Sequence, residues 1–285
     1  MQKTNQDTGI PGMAVPARMP VLFLGHGSPM NAIAENEFVE GFRRISGEIR
    51  KPDAILCISA HWETNGTFIT AMEMPRTIHD FGGFPRELFE VQYPAPGNPE
   101  LARDIAGMIT GTKVGLDENW GLDHGAWSVI KHLFPDADVP VLQLSLDRAK
   151  STKAHYDLAK ELSGWREKGI LIIGSGNIVH NLGLVDWYRL NDIGYGFEWA
   201  LEAREKLNAF ILSGDLPSLI NYKDQGRAVN TAIPTPEHFL PLLYALAVTQ
   251  GNEKITLFND KPVAGSLTMT SVKATQAYIS ASFNL

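Results

Sequence analysis

Short, wholly apolar runs that stop on glycine or histidine constrain this chain more than any other feature. Val21-Leu-Phe-Leu24 leads into Gly25-His-Gly27, Ala54-Ile-Leu-Cys-Ile58 into Ser59-Ala-His61, and Ile170-Leu-Ile-Ile173 into Gly174-Ser-Gly176. Runs of this length without polar alternation suit strands buried on both faces, as in a parallel sheet covered by helices. Between the first two, residues 35–50 place Phe38, Phe42, Ile45 and Ile49 at helical spacing. A strand, a helix and a second parallel strand put both strand exits on one edge, where open α/β folds build their sites. The expected fold is α/β, a single domain whose central mostly parallel or mixed sheet is flanked by helices on both faces. Its site is expected at the strand carboxyl ends.

The exits carry the chemistry-bearing residues. His26 stands between two glycines, which leave room for a ligand or metal, and Pro29 ends the strand. His61 follows the second run, and His180 follows the strand of residues 169–176, where it is a candidate general base. His124 sits where a helix is expected to begin, since Trp127, Val129, Ile130 and Leu133 follow with helical periodicity. Pro236 suits the first turn of another helix, and Glu237 and His238 in that turn are two adjacent potential metal ligands. Five histidines in glycine- or proline-marked loops, drawn from distant segments, point to a catalytic metal site with open positions. Spacing does not choose the metal: a zinc-dependent hydrolase, a non-haem iron enzyme and a non-catalytic metal- or partner-binding protein on the same scaffold all fit.

Other features receive plainer readings. Residues 75–99 form a long loop rich in Gly, Pro and aromatics, expected to be a lid or pocket wall, with His79 structural. His132 and His155 are expected at the surface, Cys57 in the core. Gly174-Ser-Gly176 lacks the spacing and lysine of a phosphate loop. Helices are expected over 100–109, 152–168 and 196–214, and strands over 67–72, 112–116, 139–144, 255–258 and 266–272, the last two at the sheet edge. Residues 1–18 read as a flexible N-terminal tail and 19–285 as one catalytic domain.

The charge balance, 25 basic against 32 acidic residues with no basic run, leaves nothing for a nucleic-acid backbone to bind. No apolar run is long enough for a membrane span. One cysteine suits a reducing compartment, so a cytoplasmic location is expected.

Seven motifs together resemble the class III extradiol ring-cleavage dioxygenases, in the branch of 4,5-DOPA dioxygenases, from Met19 to Val272. They are Gly25-His-Gly-Ser-Pro-Met30, Ser59-Ala-His-Trp62, Ile78-His-Asp-Phe-Gly-Gly-Phe-Pro85, Tyr93-Pro-Ala-Pro-Gly97, Trp120-Gly-Leu-Asp-His-Gly125, Gly176-Asn-Ile-Val-His-Asn181 and Pro234-Thr-Pro-Glu-His238. The resemblance implies that His26, His61 and His238 hold the metal, with Glu237 as alternative third ligand. It implies His180 as catalytic base or additional ligand and His124 as the histidine that meets oxygen. It further implies Fe(II) for activity, with Zn(II) able to fill the site in purified protein, and a catechol and dioxygen as the small molecules bound. A homo-oligomer is left open.

Overall fold

In a computed structural model, residues 18–190 and 192–276 are described; of the proposed tail, residues 1–18, all but Arg18 lie outside them, and Arg18 donates from Nε to Glu167 Oε1 at 2.9 Å. Six strands form the main sheet: β1 (Val21–Gly25), β2 (Ala54–Ser59), β3 (Val141–Gln143), β4 (Ile170–Gly176), β5 (Glu253–Phe258) and β6 (Ser271–Gln276). Their order is β3-β2-β4-β1-β6-β5. The first four in this order are parallel, β6 pairs antiparallel with β1 and β5 antiparallel with β6, so β6 alone runs against the rest and the sheet is mixed. β5 is an edge strand as expected, but β6 is interior, hydrogen-bonded to β1 on one side and β5 on the other.

Alternate residues of the parallel strands face different helices, as a pleated strand requires. Leu22, Leu24, Ile55, Cys57, Leu171 and Ile173 pack with α1 (Glu37–Ser46) and a helix that begins at His124. Phe23, Leu56, Ile58 and Ile172 face α2 (Pro99–Met108) and later helices. These are α3 (His124–Leu133) on the first face, then α4 (Thr152–Lys160), α5 (Glu198–Ser213) and α6 (Leu240–Ala247) on the second. Burial of both faces explains why the strand sequences show no polar alternation. Cys57 is buried, and burial pushes its thiol well up. No helix of the described residues is long and apolar enough to cross a membrane.

Local departures from the expected elements have identifiable causes. The helix expected over 152–168 ends at Lys160, and a separate 3-10 turn covers Ser163–Lys168 and closes on Gly169 in the left-handed region. Glu237 and His238 lie in a turn before α6 rather than in its first helical turn. The His238 carbonyl is taken by the Asn177 amide at 3.0 Å, so it is not part of the α6 ladder.

His132 and His155 are not at the surface. α3 is buried on nearly every side because the 3-10 turn Pro29–Ala32 and α1 both pack on it. His132 Nε2 donates to the Asn31 carbonyl at 2.7 Å there, and Lys131 Nζ donates to the Ala32 carbonyl. Helical periodicity assigns these positions to solvent only if one face of the helix is free. His155 is 1% exposed. Its Nε2 lies 3.2 Å from the Asp147 carbonyl and its Nδ1 2.9 Å from the Tyr244 hydroxyl. A carbonyl accepts only, so Nε2–H donates to it and the neutral ring accepts from Tyr244.

Burial lowers the His155 pKa to about 4, the Asp147 carbonyl opposing. The unfolded ring titrates near 6.5, so between the two values the unfolded chain binds more protons. The His155 contribution is therefore complete above the unfolded value and is lost as pH falls towards 4, a change on the order of 3 kcal/mol. Urea unfolding between pH 7 and pH 4 should show His155→Gln losing stability less steeply than wild type; parallel slopes would contradict this.

Candidate metal centre

Three parallel strands deliver histidines to one edge: His26 follows β1, His61 follows β2, and His180 follows β4. His124 is the first residue of α3, whose N-cap Asp123 accepts from the Ala126 amide. The turn before α6 brings His238 and Glu237 to the same place. All five histidines singled out in the sequence, with Glu237, therefore converge. Donor atoms of His26, His61 and His124 lie within 4.8 Å of one another, as do those of His180, Glu237 and His238. The two groups adjoin, with the His238 ring centroid 5.3 Å from His26 and 5.0 Å from His61.

The glycines beside His26 serve a different purpose from the one expected. A Cβ at Gly25 would lie 2.6 Å from the Met269 backbone, and one at Gly27, whose φ is +61°, 2.4 Å from Met269 Sδ. They admit the chain entering β6, not a ligand. The site itself needs Gly125, where a Cβ would sit 2.7 Å from His61 Cδ2 and 2.5 Å from Ser59 Oγ.

His26 Nδ1 lies 2.9 Å from Ser175 Oγ, and His26 Nε2 lies 3.2 Å from His61 Nε2. Burial, then the neighbouring histidines, hold the pKa of His26 and of His61 well below the ordinary value, so both rings are neutral at physiological pH. Two neutral imidazole nitrogens this close are bridged either by one proton or by a cation. Two nitrogens about 2.1 Å from a common ion and about 100° apart would themselves be about 3.2 Å apart. The donor pair thus fits a divalent metal.

Carboxylates stand behind the histidines. Asp80, in the loop of residues 75–99, was not among the residues expected at the site. Its Oδ1 lies 3.0 Å from His124 Nδ1, at a bent angle, and accepts from the His124 backbone amide at 2.9 Å; its Oδ2 lies 3.7 Å from His61 Nδ1. Burial raises the Asp80 pKa, but the contacts with His124 outweigh it and leave the carboxyl below its usual range. Glu237 Oε1 accepts from Thr235 Oγ1 at 2.9 Å and faces His238 Nδ1 at 3.1 Å. Its pKa is lowered to about 2, the His238 contact outweighing burial. Two ionised carboxylates around neutral imidazoles make the centre cation-seeking.

The loop forms part of the wall, as expected. The Phe81 ring meets the His124 ring edge-on at 5.5 Å and packs against Phe84, Phe89 and Trp127. His79 donates from Nε2 to the Val91 carbonyl at 3.0 Å, a structural role. His180 stacks on His238 with centroids 3.5 Å apart and planes 9° apart. Burial, then His238, lowers its pKa to about 3, against an opposing pull from Glu237.

The family model described as the catalytic LigB subunit of aromatic ring-opening dioxygenase matches residues 19–267. The chain belongs to the LigB family. It is therefore an enzyme of the extradiol dioxygenase class, whose members are metal-dependent. An Escherichia coli K12 protein named 4,5-DOPA dioxygenase extradiol is 43% identical over 261 residues, 90% of this chain and 94% of its own. A Beta vulgaris protein of the same name is 34% identical over 268 residues, 89% of this chain and 95% of its own. The crystal structure of an uncharacterized E. coli K12 protein superimposes with a TM-score of 0.78 at 39% identity, covering 90% of this chain and 99% of that one.

Within this LigB-family centre the close approach at Gly125 is directly testable. Gly125→Ala should cost about 1–3 kcal/mol in unfolding free energy and weaken divalent-metal binding by displacing His61. Denaturant titration and chelator competition read the two effects; unaltered metal affinity would show that the contact does not hold His61.

Proposed function

We propose that this chain is a non-haem Fe(II)-dependent extradiol dioxygenase. It cleaves the ring of a catechol such as 3,4-dihydroxyphenylalanine with dioxygen to a muconic semialdehyde type product. The observation that carries the reading is the convergence of His26 Nε2 and His61 Nε2, with further histidines beside them, in a LigB-family chain whose curated relatives are named for this activity. Fe(II) bound there supplies a common site for catechol and dioxygen and the redox step that Zn(II) in the same ligands lacks.

His26, His61 and His238 are the proposed ligands. Glu237 is better suited to orienting than to binding: it faces His238 Nδ1 and accepts from Thr235, which favours His238 Nε2 as the donor. A second ligand set, His26, His61 and His124, has the compactness of its three donor atoms in its favour. Alanine variants separate the two: His238→Ala should bind far less Fe(II) and His124→Ala should retain it, the reverse result selecting the second set.

His180 is the proposed base. Its ring is neutral and offers a lone pair, but burial and His238 lower its pKa to about 3, so it accepts a catechol proton only as far as the nearby Glu237 carboxylate, which pulls the pKa up, stabilises the imidazolium that results. His124, buried against Phe81 with Asp80 behind it, is proposed to stabilise negative charge that develops on oxygen. His180→Ala should retain Fe(II) and lose about 10²–10⁴-fold in turnover; loss of the metal would make His180 a ligand.

Anaerobic Fe(II) loading followed by oxygen and L-DOPA should give a yellow ring-opened product with stoichiometric oxygen uptake. No uptake across a panel of catechols would sink the proposal, and ester or amide hydrolysis by the Zn(II) form would replace it.

A further inference from the structure

The Gly174-Ser-Gly176 end of β4 is where segments distant in sequence meet. A Cβ at Gly174 would lie 2.2 Å from the Pro241 carbonyl oxygen, and one at Gly176 2.2 Å from that of His238. The His26 amide donates to the Gly176 carbonyl at 3.0 Å, and the next residue, Asn177, donates its amide to the His238 carbonyl. The two glycines thus let α6 and the turn before it close onto the strand. Ser175, between them, is fully buried.

Its hydroxyl has one proton to give. Ser175 Oγ lies 2.5 Å from the Gly125 carbonyl oxygen and 2.9 Å from His26 Nδ1. The carbonyl cannot donate, so the serine proton goes to it. The hydroxyl then has only lone pairs for His26, and His26 must carry its proton on Nδ1. A neutral ring protonated there has a bare Nε2, and that is the atom 3.2 Å from His61 Nε2.

We propose that Ser175 is a positioning residue: it holds His26 in the Nδ1–H tautomer with Nε2 bare towards His61, and ties that ring to the first turn of α3, which carries His124. The opposite tautomer would set the His26 Nδ1 lone pair against the serine lone pairs unless Ser175 abandoned Gly125. Without the hydroxyl, a buried Nδ1–H loses its acceptor, and the proton is better placed on Nε2, where a metal must displace it. This last consequence rests on the metal-centre reading; the tautomer assignment does not.

The test is nitrogen-15 NMR of histidine-labelled, metal-free protein, which distinguishes Nδ1–H from Nε2–H rings, combined with Zn(II) affinity from chelator competition. Wild type should show His26 protonated on Nδ1. Ser175→Ala should shift that population towards Nε2–H and weaken Zn(II) binding about 10–100-fold. A merely structural serine would lower the melting temperature without moving the tautomer. Wild-type His26 protonated on Nε2, or a Ser175→Ala protein with unchanged tautomer and affinity, would overturn the proposal. Should Ser175→Ala fail to fold, the wild-type tautomer still decides. Wild type that binds no metal while His26 carries its proton on Nδ1 would uphold the role of Ser175 and count against the metal centre alone.

Discussion

Everything at this site depends on two imidazole nitrogens that face each other at 3.2 Å, His26 Nε2 and His61 Nε2. Neutral rings do not choose such an approach for their own sake. It is imposed by strand exits one apart in the sheet, with β4 between β1 and β2, and by the partners that take the Nδ1 side of each ring. Ser175 faces His26 and Asp80 faces His61. A cation held between the Nε2 atoms would resolve the contact, and the flanking carboxylates of Asp80 and Glu237 would favour it.

The surrounding fold makes this arrangement affordable. Parallel strands buried on both faces fix the backbone of three histidine-bearing exits, and the helices α3 and α6 bring His124 and His238 to the same edge. Side chains at Gly125, Gly174 and Gly176 would prevent that closure. Buried titratable groups elsewhere follow the same rule of complete proton accounting: His155 donates to one carbonyl and accepts from Tyr244, and His132 donates to Asn31. Such rings belong to the core only while neutral.

Much of this was legible in the sequence, for a physical reason. An apolar run that ends in Gly-His-Gly or Ser-Ala-His leaves a polar ring at a strand exit, and parallel topology brings successive exits together. His26, His61 and His180 are therefore visible from pattern alone, and the helix onset at His124 from the periodicity after it. Asp80 was not legible as a site residue, because it lies in a loop of turn formers where an aspartate facing a histidine looks like any solvated one. His132 and His155 were misplaced because periodicity describes a helix with one free face, whereas α3 is covered on nearly every side and His155 reaches inward to Tyr244. The glycines beside His26 were legible as necessary but not for the right neighbour: Met269 comes from the other end of the chain, and no local pattern announces it.

The most direct measurement is anomalous diffraction at the iron edge from a crystal of the chain loaded anaerobically with Fe(II). The account predicts one strong peak between His26 Nε2 and His61 Nε2, within bonding distance of both. A crystal of the loaded protein with no peak there, or with its metal bound only at other residues, would contradict it.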